Sequence, residues 1–238
     1  MICSLCSSAA TIYQQDGYSF TDLGENTISV CGWDNRTSEL IIPNKIADYY
    51  VAEISDYSFL GNKEITQLDL THPTNLRRVG MYAFADCSAL TGEVVFPIRI
   101  TDIDQSAFEN CSQLESAIIY ANIDTIKRQS FFNCSLLSKV EIPSSVKTID
   151  ALAFSNCGSL YSVSIPNSVT EISSSAFRND RNLTIKCYYK SYAYHYAIDN
   201  NINYSLLDSV RLGDVNGDEV VDINDVTQIQ YHIPSAKL

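Results

Sequence analysis

The chain has 238 residues, enough for one good-sized core and a small appendage. Its 28 acidic and 16 basic residues give a net charge of −12 and an isoelectric point near 4.5. This balance argues against nucleic acid or anionic membranes as partners, because both repel a negative protein. No run of eighteen apolar residues occurs, so the sequence predicts no membrane-spanning helix.

The first ten residues have the features of the end of a secretion signal. Small side chains at Ser8 and Ala10 suit cleavage before Thr11, so we interpret residues 1–10 as a residual leader. Cys3 and Cys6 form a C-x-x-C pair, but no second pair of ligands follows at the spacing of a zinc site. We interpret both cysteines as leader residues and expect a secreted protein.

Residues 11–45 alternate between apolar and polar side chains around turn signals. Residues 27–30 and 39–42 have the alternation of strands. Turn residues stand at 23–24 and 34–35. We therefore expect a β-hairpin that caps the N-terminal end of the following segment.

The largest feature is an internal repeat across residues 46–190. A phenylalanine recurs at separations of 25, 24, 23, 23 and 23 residues, with aliphatic residues five and eight positions before it and six positions after it. These phenylalanines are Phe59, Phe84, Phe108, Phe131, Phe154 and Phe177. One unit cannot bury its own apolar side, so we expect the units to stack and their rings to form one column.

The unit has a recognisable pattern. Leu137, Val140 and Ile142 follow L-x-x-L-x-L, and the run continues as Ile-Pro, Val-x-x-Ile and Ala-Phe-x-x-Cys to Cys157. This pattern resembles the BspA-type bacterial leucine-rich repeat over roughly residues 37–190. The resemblance implies a solenoid of about six units, whose fold class we expect to be an α/β repeat. At an inter-strand spacing of about 4.8 Å, six coils would be roughly 25–30 Å long.

Four cysteines recur three positions after the repeat phenylalanine: Cys87, Cys111, Cys134 and Cys157. Stacked coils would bring neighbouring cysteines within the Cα distance of a disulfide, and four in a row also suggest a metal ladder. However, equivalent side chains on successive coils point the same way, and a free cysteine behaves as a small apolar residue. We therefore predict reduced cysteines in a buried corner of each coil.

Outward strand positions predict an exposed sheet face along the solenoid. These positions are Gln67, Asp69, Val95, Ser116, Ile118, Lys139, Glu141, Ser162 and Ser164. Such a mixed surface suits a protein or a glycan, and it is equally compatible with an ordinary solvated sheet. Seven of the fifteen tyrosines fall between Tyr188 and Tyr231, where we expect them to cover the solenoid end rather than stack on sugars.

Hydrolytic catalysis requires a base, a nucleophile or paired carboxylates at a fixed separation. The three histidines, His72, His195 and His232, lie in different parts of the sequence. Asp69 and Glu141 share a sheet face but belong to units three apart. No glycine-rich phosphate loop or H-x-x-x-H element occurs. We therefore predict that the protein is not an enzyme.

Residues 191–208 carry the signals of a C-terminal cap. The run from Ser191 to Ile198 predicts a short helix with Ser191 as its N-cap. Its Ser-Tyr-Ala…Tyr-Ala pattern is similar to the usual end of this repeat family, which supports the interpretation.

The final segment, residues 209–238, contains a calcium loop by the spacing of its oxygen atoms. Acidic or amide side chains stand at loop positions 1, 3, 5, 9 and 12, and position 7 offers its backbone carbonyl. The expected Ca²⁺ ligands are Asp214, Asn216, Asp218, Val220, Asp222 and Asp225. Val226, Ile229 and Ile233 follow at helical spacing, so we expect an EF-hand-like loop and helix.

Together with Leu212-Gly213, this run resembles one repeat of a type I dockerin, a module that binds cohesins on extracellular scaffolds. The family's cohesin contacts correspond here to Ile223, Asn224, Gln230 and Tyr231. Loop position 6, usually glycine with positive φ, is Glu219, a change that costs on the order of 1 kcal/mol. Type I dockerins carry two such repeats and this sequence has one, so we expect a truncated module.

These expectations combine into one hypothesis. The chain is a secreted, noncatalytic leucine-rich-repeat module that binds a ligand through its solenoid and is displayed on a cohesin scaffold, as in a cellulosome. Two alternatives are open. One is a cell-surface adhesin for host or neighbouring cells, which the repeat family implies. The other is an accessory subunit of a polysaccharide-degrading complex, which the dockerin resemblance implies.

Overall fold

The structure, a computed structural model, describes residues 11–34 and 37–208. Within these residues the chain forms short strands and one helix, α1 (Tyr192–Asp199). No helix among them is long and apolar enough to cross a bilayer. The strands are β1 (Ile12–Gln15), β2 (Tyr18–Gly24), β3 (Thr27–Trp33), β4 (Glu39–Ile41), β5 (Lys45–Ile46), β6 (Tyr49–Ile54), β7 (Gln67–Asp69), β8 (Arg78–Val79), β9 (Gly92–Phe96), β10 (Asp102–Ile103), β11 (Leu114–Ile119), β12 (Thr125–Ile126), β13 (Lys139–Glu141), β14 (Thr148–Ile149), β15 (Ser162–Ser164), β16 (Glu171–Ile172), β17 (Thr184–Cys187) and β18 (Asn203–Leu206).

Two stacks of parallel strands run along the molecule, because each coil contributes one strand to each stack. In the first stack β4 pairs with β7, and β9, β11, β13, β15, β17 and β18 form a six-stranded sheet. We call the outward surface of β4 to β17 in this stack the front face. In the second stack β3, β6, β8 and β10 form one parallel run, and β12, β14 and β16 form another. The apolar core lies between the stacks.

The expected α/β repeat is wrong, because the described chain is a mostly β solenoid whose one helix follows the last coil. The segments from Phe59 to Phe154 are not helical around the phenylalanine, since residues on both sides have positive φ, as at Leu152 (61°) and Asn156 (64°) beside Phe154. Alternate N–H groups donate to the next coil, as from the Phe131 nitrogen to the Ala153 oxygen at 2.9 Å. Those between them close turns within the coil, as from the Phe132 nitrogen to the Gln129 oxygen at 3.1 Å. The predicted EF-hand-like loop and helix lie outside the described residues.

The predicted phenylalanine column is confirmed. Six rings from Phe59 to Phe177 stack at centroid separations of 5.1 to 5.7 Å, with adjacent ring planes within 18° of parallel. Phe96 meets Phe108 and Phe131 edge-on, at 5.3 and 6.2 Å. Stacked and edge-on aromatic pairs each add about 0.5–1.5 kcal/mol beyond the burial of their area. The column is therefore a main stabilising element of the solenoid.

Both ends of the column are covered. At the N-terminal end β1, β2 and β3 form an antiparallel meander, and β3 pairs in parallel with β6. The first coil begins at β4, inside the range expected for the cap, because β4 pairs in parallel with β7. At the other end the predicted helix is confirmed as α1. The Ser191 hydroxyl accepts a hydrogen bond from the Tyr194 N–H at 3.2 Å, and the Tyr196 ring lies 6.3 Å from Phe177.

Candidate functional site

The front face consists of two columns of outward side chains. From β4 to β17, each strand has a buried residue between two outward ones, because successive side chains of a strand alternate sides. The first column is Glu39, Gln67, Glu93, Ser116, Lys139, Ser162 and Thr184, and the second is Ile41, Asp69, Val95, Ile118, Glu141, Ser164 and Lys186.

All the predicted front-face residues stand in these columns, but two of them are not accessible. Gln67, Lys139, Glu141 and Ser164 are exposed, and Asp69, Val95 and Ser162 are partly exposed. Ile118 is only 3% exposed and Ser116 only 9%, so neither is available to a ligand, contrary to the prediction. Both belong to β11, which has a paired strand on each side, and cross-strand neighbours about 5 Å away cover such central positions.

The part of the front face from β13 to β17 is polar and nearly neutral. Its charged residues are Lys139, Glu141 and Lys186. The Lys139 Nζ lies 3.0 Å from Glu141 Oε1, and this hydrogen bond raises the pKa of Lys139. The lysine is exposed, so the pair contributes little to stability. This half offers hydroxyl groups and single charges.

The part of the front face from β4 to β9 contains a cavity, which we call the notch. Within the described chain, β7 and β9 follow one another along the stack but belong to separate sheets. The gap between them is a cavity of about 310 Å³. Its lining includes Glu39, Gln67, Asp69, Thr71, Glu93 and Val95. The notch therefore combines three carboxylates with amide, hydroxyl and apolar groups.

Extra residues in two successive coils surround the notch. Leu90 and Val94 are four positions apart, whereas Leu114 and Ala117 are three apart, as are the corresponding residues of the next two coils. The added residue in this step accompanies Gly92, whose φ is 68°. The pairing is irregular here, because Leu114 and Ser116 of β11 pair with the consecutive residues Gly92 and Glu93, which leaves a bulge in β11. The preceding coil has two more residues after β7, in the loop 71–75. Three extra residues thus stand beside one cavity.

Hydrogen bonds hold the wall of the notch in place. Asp69 Oδ1 accepts from both the N–H and the hydroxyl of Thr71 at 2.7 Å, and its Oδ2 lies 3.1 Å from His72 Nδ1. Burial alone would raise the pKa of Asp69, but these hydrogen bonds and the charge of His72 outweigh it and lower that pKa. Asn44 Oδ1 accepts from the N–H and the hydroxyl of Thr74 at 2.8 Å. The loop 71–75 is therefore fixed at two points.

The repeat cysteines occupy a buried corner, as predicted. Each thiol donates to the carbonyl of the phenylalanine one coil earlier, at 3.1 to 3.2 Å. Burial raises the pKa of the Cys87 thiol to about 12 and those of the other three well above the ordinary value. A protonated thiol is a poor nucleophile and metal ligand, so the cysteines have a structural role.

The sixth coil has an acid in the cysteine position. Asp180 stands three residues after Phe177 and is 8% exposed. Among the described residues, neither of its carboxylate oxygens has a hydrogen bond of normal geometry. Burial raises the pKa of Asp180 to about 7, and the backbone of Cys157 offsets only part of that effect. A cavity of about 230 Å³ lies between this coil and α1, and Asp180 is among its lining residues although both carboxylate oxygens are buried.

The second stack carries a charge network on its outer side. Arg78 contacts Asp56 and lies 2.9 Å from Asp104, while Lys127 lies 2.7 Å from Asp102 and 3.2 Å from Asp104. These alternating charges join successive coils. No group of three or more histidine, cysteine or acidic side chains within the described ranges is placed to hold a metal ion.

Several predicted sites lie outside the described residues. The predicted Ca²⁺ ligands between Asp214 and Asp225 and the predicted cohesin contacts between Ile223 and Tyr231 all fall there. Conversely, the predicted front face lacks Glu39 and Glu93. Glu39 was not included because it lies in the range assigned to the cap. Glu93 was not included because the inserted residue shifts its position relative to the repeat. The four-residue step before Val94 is the signal that identifies this shift.

Comparison with known proteins agrees with the solenoid. The model of the BspA type leucine rich repeat region matches residues 52–184 as six copies. A leucine rich cell surface protein from Faecalibacterium prausnitzii A2-165 is 25% identical with a TM-score of 0.57, over 76% of this chain and 56% of that one. A leucine-rich repeat protein from Eubacterium ventriosum ATCC 27560 is 23% identical with a TM-score of 0.51, over 69% and 50%. The chain thus spans about half the length of these two proteins.

No curated protein matches the chain. The second structural neighbour shows the fold alone, but the family model matches more than half of the sequence. Its six copies coincide with the coils that carry the phenylalanine column. The chain therefore belongs to the BspA-type leucine-rich-repeat family.

Proposed function

We propose that this chain is a noncatalytic binding module that holds a protein ligand on its front face outside the bacterial cell. The observation that carries the proposal is the front face itself, with exposed polar or charged side chains on each of its strands except β11. A stacked solenoid presents such side chains at fixed spacing, so a ligand can bind without rearrangement of the backbone.

The surroundings of the two histidines within the described residues support a noncatalytic role. His72 lies on the surface beside Asp69. The Thr71 hydroxyl donates its hydrogen bond to the Asp69 carboxylate rather than to the imidazole. The imidazole therefore has no nucleophile to activate at this pair. His195 lies in α1 and packs edge-on against Tyr194 at 5.3 Å.

The location rests on the relatives and on the leader-like residues 1–10. The protein from Faecalibacterium prausnitzii is described as a cell surface protein, and this likeness favours adhesion to other cells as a second candidate function. Fluorescently labelled chain should bind to bacterial or cultured epithelial cells. The variant Lys139→Glu/Lys186→Glu should bind at least several-fold less, because both lysines stand on the front face.

The matched control for that assay is Lys147→Glu/Arg181→Glu, which makes the same charge change at exposed positions away from the front face. It should bind like the unmodified chain. If the two double variants bind equally to every cell type, the front face is not the binding surface.

We also propose that residues 209–238 attach the module to a cohesin in a calcium-dependent manner, as an accessory component of an extracellular complex. Carboxylates crowded into one turn repel each other until a cation joins them. The attachment should be weaker than that of a two-repeat dockerin, because Glu219 disfavours the turn.

Calorimetry with Ca²⁺ and with a type I cohesin tests the attachment. Heat should be released by the unmodified chain and lost in Asp214→Ala/Asp218→Ala. Equal heats from the two proteins would show that the loop is not the site. Cohesin binding that persists after calcium is chelated would also contradict the proposal.

A further inference from the structure

We propose that the notch binds a lysine or arginine side chain from a basic segment of the protein partner. This inference rests on the proposed function, because it specifies the chemistry of a ligand on the front face. It is carried by the cavity, by the charges that line it, and by the extra residues that surround it.

The charge of the notch favours a cation. Glu39, Asp69 and Glu93 line it, and no lysine or arginine is among its described lining residues. Glu93 accepts one hydrogen bond, from the Ser116 hydroxyl at 3.0 Å, and the Glu39 carboxylate has no ion pair within the described chain. Asp69 has the exposed His72 beside it, with Nδ1 3.1 Å from Oδ2. Lys139 attracts Glu93 electrostatically, but its ion pair is with Glu141. Among the described residues, no lysine or arginine forms an ion pair with these three carboxylates, so a ligand can supply a cation.

The shape of the notch favours an elongated cation over a metal ion. The three carboxylates line one cavity but do not converge as a set of metal ligands within the described residues. The cavity, of about 310 Å³, is at the lower end of the range that holds small ligands, about 300–1,000 Å³. Leu68 and Val95 also line it. Such a mixture suits a side chain with an apolar stem and a charged head.

The notch is also a built feature of the solenoid. All three residues by which these coils exceed the 23-residue unit stand beside it, in the loop 71–75 and in the step that contains Gly92. The loop is held by Asp69 and Asn44. A fixed wall lowers the entropic cost of binding, because few groups must be ordered when the ligand enters.

A labelled hexalysine peptide is the probe for this proposal, with binding measured by fluorescence anisotropy at low and physiological salt. Glu39→Gln/Glu93→Gln removes two charges from the notch and should weaken binding at least tenfold. Glu115→Gln/Glu171→Gln removes the same charge from exposed positions outside the notch and should weaken it less than twofold. Glu93→Lys, which places a fixed cation in the notch, should abolish binding even if the first double variant is destabilised.

Three results would overturn the proposal: no binding of hexalysine at low salt, equal losses in the two double variants, or full binding by Glu93→Lys. Equal losses would mean that the peptide is attracted only by the net charge of −12. The cell-binding assay separates this outcome from failure of the proposed function. If Lys139→Glu/Lys186→Glu loses cell binding while the notch variants do not affect hexalysine, the front face binds a ligand of different chemistry.

Discussion

The coils from Phe108 to Phe177 and the coils from Phe59 to Phe108 build the same column with different regularity. In the first group each unit has 23 residues, and the strands of the front face pair in an unbroken ladder. In the second group the units have 25 and 24 residues, and the ladder is interrupted between β7 and β9. The phenylalanine column continues through both groups of coils. Its ring separations are 5.1 Å in the irregular group and 5.4 to 5.7 Å in the regular one.

The difference assigns separate roles to the two regions. Equal unit lengths allow hydrogen bonds and side chains to repeat, which favours stability but gives a uniform surface. Extra residues stay at the edges of the coil, where they leave the core register intact and shape the surface. The notch and its carboxylates are therefore found where the repeat is least regular.

The largest effect should come from breaking the column in the regular region. Phe131 stacks on Phe108 and Phe154 and meets Phe96 edge-on, so Phe131→Ala should destabilise by about 3–5 kcal/mol. Phe59→Ala should cost less, since Phe59 stacks on Phe84 alone among the described residues. Urea unfolding of both variants measures the difference. A loss below about 1 kcal/mol at Phe131 would contradict a stabilising column.

The next effect concerns Asp180, which ends the regular region with a buried acid. Its folded-state pKa, about 7, lies above the ordinary value of 3.8, so folding favours the protonated form. Its contribution to stability is therefore fully present below the unfolded pKa and is lost as pH rises from about 4 through 7. Asp180→Asn should stabilise by roughly 2–4 kcal/mol at alkaline pH, after allowance for partial screening, and change little in acid.

Urea midpoints across this pH range test the assignment, with Asp199→Asn as the exposed control on α1. The control should leave the pH profile unchanged. If Asp180→Asn shifts the midpoint equally at acid and alkaline pH, the carboxyl does not titrate as proposed.

A third effect tests how closely the coils approach in the irregular region. A Cβ added at Gly80 would lie 2.6 Å from the Asp56 backbone nitrogen, whereas one added at Gly158 meets nothing within 4 Å. Gly80→Ala should therefore destabilise by about 1–3 kcal/mol through overpacking. Gly158→Ala should be neutral or stabilise by a few tenths of a kcal/mol, because it restricts the unfolded chain. Thermal melts of the two variants that coincide would refute the close approach.

The sequence predicted the regular region better than the irregular one. The phenylalanine period, the cysteine corner and the Ser191 cap were predictable because each depends on a residue type that recurs or caps by its own chemistry. The α/β class was not, because the positive φ values beside each ring come from residues such as Leu152 and Gln129, which carry no turn signal. The notch was missed because it depends on the gap between β7 and β9, which are in separate sheets, and the repeat pattern predicts an unbroken ladder there.

The smallest effect tests whether charge pairs help to join the irregular coils. Burial would raise the pKa of Asp104, but hydrogen bonds from the Gln105 backbone and the Arg78 side chain, together with the charge of Lys127, outweigh it and lower that pKa. Its contribution is therefore present above the unfolded pKa and lost as pH falls through the folded value. Asp104→Asn should cost about 0.5–1 kcal/mol near neutral pH, since the group is partly exposed, and nothing in strong acid. The exposed Asp124→Asn is the matched control in urea titrations at both pH values. A loss at Asp104 that persists in acid would come from packing or the Gln105 hydrogen bond, and the ion pairs would then not join these coils.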